Sequence, residues 1–314
     1  MSAALAPRLL AVARWAVRIV VIIAAAAYAN VFAADAPRVL HVAFPVAETG
    51  FDPQALGDTY SDAVCLGIFD PLYRYDYFAR PVVLEPNTAD GLPEITDGGR
   101  TYTIKVKRGI YFAADAAFNG RKRELTAQDY VYSIKRVFDP KVRSYWLYLF
   151  EQTLVGLEGP LERARKSGKF DYDEKIEGLQ ALDRYTLRIR FKQPDYVFKW
   201  WLTTSSFAAV AREVVEKYQD DSHRVMENPV GTGPYKLKSW TRGQRIVLEA
   251  NPDYRNDTYP PPCMYRITPG FTSRGASHSP LIPPRVTVVI VIPAVCSPRS
   301  GAGNPKSLRA RRVS

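Results

Sequence analysis

Thr101-Tyr102-Thr103-Ile104-Lys105-Val106-Lys107 alternates β-branched or aromatic side chains with polar ones, the period of a half-buried strand. The turn-rich run Thr96-Asp97-Gly98-Gly99-Arg100 leads into it, and Arg108-Gly109 turns the chain out of it. Ile110-Tyr111-Phe112 then begins a second short apolar run, expected to form a strand pair with the first. After a polar loop, Thr126 is placed as the N-cap of a helix, with Asp129 three residues on as an acidic form of the capping box. Ala127, Val131, Ile134 and Phe138 follow at spacings of four, three and four, one apolar stripe of a helix that Asp139-Pro140 stops. Read by itself, this is a strand pair feeding an amphipathic helix, a common fragment of α/β proteins.

Working outward, the segment from Arg38 to Phe44 has a strand pattern and ends at Pro45; Ala47-Glu48-Thr49-Gly50-Phe51-Asp52-Pro53 follows. Tyr60 to Tyr75 reads as a helix and the segment after it, Asp183 to Phe191 as another strand, and Tyr196 to Leu202 as a helix beginning after Pro194. Val230-Gly231-Thr232-Gly233-Pro234-Tyr235 is a glycine turn entering a β-hairpin, closed by an Asn251-Pro252 turn. The glycines let backbone pass close to another group, a ligand among the possibilities. The aromatic run Ser144–Phe150 is expected to pack as core, and Arg163–Glu177 to form a solvated helical face with its loop.

These landmarks, in this order, resemble the family 5 extracellular solute-binding proteins, the dipeptide- and oligopeptide-binding receptors of ABC importers. The resemblance is carried by the strand at 101–107, by Thr126-Ala127-Gln128-Asp129-Tyr130-Val131-Tyr132-Ser133, by Arg136 and Asp139-Pro140, and by Gly231-Thr232-Gly233-Pro234-Tyr235 with Asn251-Pro252-Asp253-Tyr254. One departure is the loop from Ala113 to Gly120, longer than the family's and without its usual Asp-Gly pair. The resemblance implies an α/β, type II periplasmic binding protein-like fold with discontinuous lobes. Residues 34–71 and 194–262 would form the first lobe and 72–193 an inserted lobe, with the family's second substrate lobe missing. By position it implies that the ligand-contacting backbone lies at Glu48, Thr49, Gly231, Thr232 and Gly233. The family's carboxylate for the peptide amino terminus would lie in the missing lobe.

Charge is unevenly spread. The 314 residues carry a formal net charge of +11, but residues 34–262 hold 32 basic and 32 acidic residues. The excess sits in residues 1–33 and 263–314, which contain no acid. No Lys/Arg cluster suited to nucleic acid stands out in the body. Arg8, Arg14 and Arg18, the apolar run Ile19–Ala29 and Val31-Phe32-Ala33 read as a signal peptide cleaved after Ala33, the alternative being an uncleaved membrane anchor. A periplasmic location follows. Residues 263–314, with seven prolines, are expected to be a disordered basic tail, read in a shifted frame or binding membrane or nucleic acid as alternatives.

No catalytic, cofactor or metal residue is assigned. Nucleotide-binding, hydrolase and zincin motifs are absent from the sequence. Cys65, Cys263 and Cys296 have no ligand spacing, and His41, His223 and His278 lie far apart. The expected activity is capture of short peptides for an inner-membrane permease and ATPase, by a monomer that is not an enzyme. A secreted hydrolase, a peptide binder outside transport and a non-functional truncated copy are the alternatives.

Overall fold

A computed structural model describes residues 38–76, 78–255 and 286–291. The signal-peptide reading of residues 1–33 lies outside them, as does most of the tail. Three sheets and five helices carry these residues. The first sheet has the order β1-β10-β9-β8, with β1 Arg38–Ala43, β8 Tyr235–Thr241, β9 Arg245–Ala250 and β10 Val286–Val291. β1 runs parallel to β10, while β10–β9 and β9–β8 are antiparallel. Within the range read as a tail, Val286–Val291 is a strand, and the other residues of that range lie outside those described. Those β-branched residues form a strand because neighbours on both sides complete its hydrogen bonding.

The second sheet pairs β2 Tyr73–Tyr75 with β3 Leu84–Pro86. The third has the order β4-β5-β7-β6: Glu94–Thr96, Thr101–Lys105, Thr186–Arg190 and Leu179–Asp183. All its strands fall within residues 72–193. The strand expected at 101–107 is β5, but its partners are β4 and β7, not Ile110–Phe112. Only an isolated bridge, Tyr111 to Glu124, forms in that second run. The reason is packing: Ile110 and Phe112 turn into the core, next to the loop that precedes the helix.

That helix is α2, Ala127–Phe138; the others are α1 Thr59–Ile68, α3 Glu158–Ser167, α4 Phe198–Trp201 and α5 Arg212–Tyr218. Asp129 closes the start of α2 by accepting from the Thr126 amide at 2.7 Å and the Thr126 hydroxyl at 2.8 Å. The sequence stripe is buried throughout, and so are Tyr130, Ser133 and Arg136, so the helix is enclosed on nearly every side. One hydrophobic core runs through both main sheets and their helices, from Phe44 and Phe51 to Tyr102, Phe198 and Leu248.

The aromatic run does not pack as a unit. Tyr145–Leu149 is a 3-10 helix, so residues three apart share a side. Tyr145 and Tyr148 point outward at 70% and 61% exposure, while Phe150 is wholly buried.

Candidate ligand-binding face

The loop after β1 is set by one buried ion pair. Asp52 caps a short 3-10 turn, Pro53–Ala55, through the Gln54 amide. Arg136, on the inner side of α2, grips that carboxylate with both terminal nitrogens, at 2.8 and 2.6 Å. The same guanidinium donates to the Gln54 side chain at 2.6 Å and to the His223 carbonyl at 2.7 Å, and the Val225 amide donates to Asp52 at 2.8 Å. Both side chains are fully buried. Burial works against the guanidinium's charge, but the adjoining Asp52 carboxylate holds it above its ordinary range. Loop 44–52, helix α2 and the segment around 223–226 are thus tied at one point; the Phe51 amide adds a bond to Met226.

Above this anchor the two expected contact residues behave differently. Glu48 is 3% exposed and faces inward. Its Oε1 accepts from the Trp240 indole and from the Gly243 amide at 2.9 Å, pinning the loop to the β8–β9 hairpin. Its Oε2 is buried without a hydrogen-bond partner among the described residues. Thr49 is exposed. Its hydroxyl donates to Asp58 at 2.6 Å and its amide to Ser61 Oγ at 2.9 Å. Asp58 also accepts from the Ser61 amide at 2.7 Å as the N-cap of α1. Burial raises its carboxyl, but the Ser61 amide and the Thr49 hydroxyl outweigh that and hold it below the usual value. The Tyr145 ring lies across Gly57, where a β-carbon would overlap it. Thr49, Asp58 and Tyr145 therefore share one open corner.

Gly231, Thr232 and Gly233 are buried at the other end of α1. Gly233 donates to the Ile68 carbonyl at 2.8 Å, and a β-carbon on it would stand 2.6 Å from that oxygen. Gly231 is packed against the same carbonyl, and its own carbonyl accepts from Ala113 at 2.9 Å. Thr232 reaches Asp70 at 3.4 Å; Asp70 also takes Arg255 at 2.6 Å. The close approach that the glycines provide is thus to the end of α1. From Ser61 to Ile68 is about 10 Å along the helix at its usual rise, so the two expected groups do not meet.

Reading the sequence missed Asp58 and Tyr145. A Gly-Asp pair before the apolar run of α1 is an N-cap signal that could have found Asp58; nothing in the aromatic run singled out Tyr145. A depression of about 630 Å³ opens elsewhere, beside Tyr111, Arg123, Glu124 and Arg184. Its charges are already paired: Arg123 with Asp129 and Glu213, Glu124 with Arg184. Among the described residues no group of three His, Cys, Asp or Glu could hold a metal ion. Cys65 is wholly buried, and burial, with nearby carboxylates, pushes its thiol well up, away from nucleophilic use. The corner offers hydrogen-bonding groups and an aromatic side, which suits binding.

Comparison with known proteins agrees with the order of the landmarks. The profile of "Bacterial extracellular solute-binding proteins, family 5 Middle" matches residues 83–276. The chain belongs to this family. The peptide transport periplasmic protein SapA of Salmonella typhimurium is 27% identical over 228 residues, 71% of this chain and 39% of the relative. The periplasmic oligopeptide-binding protein OppA of the same organism is 35% identical over 131 residues, 41% of this chain and 23% of the relative. Among solved structures, Helicobacter pylori DppA in complex with the peptide STSA superposes with a TM-score of 0.57 at 21% identity, covering 81% of this chain and 42% of DppA. That likeness establishes the α/β fold of type II periplasmic binding proteins. The chain spans well under half the length of these relatives.

Proposed function

We propose that this chain is a substrate-binding component of an ABC importer that takes short peptides, exported to the periplasm and working with a permease and an ATPase of the inner membrane. The observation that carries the reading is family membership together with relatives named for peptide transport and oligopeptide binding. Loop 46–50, rigidly based on Asp52–Arg136, presents Thr49 beside Asp58 and Tyr145. A peptide backbone would lie along this corner, as an extended strand does against a prepared edge. Glu48 supports the corner from below. The glycines 231–233 contribute by fixing the end of α1, and their backbone meets the peptide from that side.

Residues 34–71 with 194–262 and the inserted 72–193 serve as two lobes of the first half of the fold, and the chain is monomeric. Relatives have more than twice its matched length. For a peptide held by these 314 residues alone, the lack of three or four buried hydrogen bonds would cost about a hundred- to a thousandfold in affinity. Titration of labelled chain with a di- to pentapeptide library, followed by NMR, should shift Thr49, Asp58 and Tyr145 at millimolar peptide with no hydrolysis. No shift at saturating peptide, or cleavage of the peptide, would sink the proposal. Micromolar or tighter binding would show that one side is enough.

A further inference from the structure

The β8–β9 hairpin ends in a tight turn that carries Arg242. Gln244 donates its amide to the Thr241 carbonyl at 3.0 Å, Gly243 takes a φ of +67°, and Arg242 between them is exposed. Glu48 holds this turn from both sides of Arg242, accepting from the Trp240 indole and from the Gly243 amide. The backbone that carries Arg242 is therefore fixed beside loop 46–50, while its side chain stands in solvent. Its guanidinium reaches that loop once: Nη2 donates to the Thr49 carbonyl at 3.4 Å. That is well beyond the usual length of about 2.9–3.0 Å for such a bond.

Thr49 has little else to offer a ligand. Its amide donates to Ser61 Oγ at 2.9 Å and its hydroxyl to Asp58 at 2.6 Å, so only its carbonyl is loosely held. The charges nearby are mixed. Arg242 and Arg245, the residue across the hairpin from Thr241, are cations; Glu48 and Asp58 are carboxylates held by neutral donors. Among the described residues neither carboxylate is ion-paired with Arg242. A net field therefore does not choose the ligand; the pattern of donors and acceptors does. A carbonyl acceptor and a guanidinium fork stand side by side, joined by one long bond. The last residue of a peptide is their complement, with an amide N–H for the carbonyl and a carboxylate for the fork. A guanidinium takes a carboxylate through two parallel charge-assisted bonds, which a neutral amide end cannot match.

We propose that Arg242 is a ligand-binding residue that takes the terminal carboxylate of the bound peptide, exchanging its long bond to Thr49 for two bonds to that carboxylate while the peptide's last amide donates to the Thr49 carbonyl. The carboxyl end then lies at the hairpin, and the preceding residues run past Thr49 toward Asp58 and Tyr145. The inference rests on the reading of this chain as a peptide binder and adds which end of the peptide is held: the ligands of this corner are peptides with a free carboxyl terminus.

The test titrates the full labelled chain with trialanine and with trialanine amide, followed by NMR. The parent should bind the acid about tenfold more tightly than the amide, the scale of one charge-assisted contact. Arg242→Gln should bind acid and amide alike, at the parent's affinity for the amide, with its melting curve in place because the side chain is exposed. A second measurement needs no variant: the Nε–H resonance of Arg242 in the parent should move with the acid and stay with the amide. Equal affinity of the parent for acid and amide overturns the proposal and leaves peptide binding intact. So does a preference for the acid that survives Arg242→Gln, since another cation such as Arg245 then holds the carboxylate. An Arg242 resonance that the acid leaves in place overturns it too. Binding of neither peptide overturns this inference together with the peptide-binding reading beneath it.

Discussion

Replacing Arg136 by Met removes the guanidinium and keeps most of the side-chain volume, which isolates the electrostatic role of the anchor. Four hydrogen bonds go: two to Asp52, one to Gln54 and one to the His223 carbonyl. The Asp52 carboxylate stays fully buried without its counter-charge, and stripping one partner from a buried pair costs about 3–5 kcal/mol. Two amide donors, Gln54 and Val225, remain on Asp52 and soften the penalty. The expected loss is therefore about 3–4 kcal/mol, a large share of the roughly 5–15 kcal/mol that holds an ordinary domain together. Urea unfolding followed by far-ultraviolet circular dichroism should show a lower midpoint with an unchanged slope. Adding Asp52→Asn should restore part of the loss, because the orphaned charge is gone, giving a coupling of about 1–3 kcal/mol. A loss below about 1 kcal/mol for Arg136→Met, or strict additivity with Asp52→Asn, would refute the view that this pair sets the loop.

Gly233→Ala should lower stability by about 1–3 kcal/mol, because its β-carbon meets the Ile68 carbonyl at 2.6 Å and backbone must move; a thermal melt reads this directly. Asp58→Ala should cost about 1 kcal/mol at neutral pH as a lost helix cap. The folded-state pKa of Asp58 lies below its ordinary 3.8, so its contribution is present above that value and fades as pH falls through the lower folded value. The difference in stability between parent and variant should therefore shrink only in acid below about pH 4. Tyr145→Ala should leave the melting temperature almost unchanged, since the ring is mostly exposed, while weakening the peptide-induced NMR shifts about tenfold.

What could be read in advance follows the range of the interactions. Helix α2 was legible because its cap, Thr126 with Asp129, and its stripe are separated by a few residues. The partner of β5 was not: β7 is joined to it across all of α2 and α3, and no local pattern in Thr101–Lys105 names it. Phe51-Asp52-Pro53 and Arg136 could each be picked out as landmarks, yet nothing along the chain says that one binds the other. The glycines at 231 and 233 announced a close approach, and only the fold shows that the approached atom is the Ile68 carbonyl. Glu48 was singled out for its backbone; that its carboxylate serves Trp240 and Gly243 is a choice made by the hairpin packed on it. For Tyr145 and Tyr148, aromatic composition suggested burial, and the three-residue turn of a 3-10 helix put both outside.

The place of β10 has a consequence for how the chain acquires its shape. β1 sits at the sheet edge beside β10, so among the described residues 38–43 have no strand to bind until residues 286–291 are available. During synthesis, the β8–β9 hairpin can form locally while the first strand waits through most of the chain's emergence. Pairing over such a separation is slow, since the intervening loop must close before any contact rewards it. A holding chaperone acting early, before residue 286 appears, would find its target in the unpaired backbone of residues 38–43.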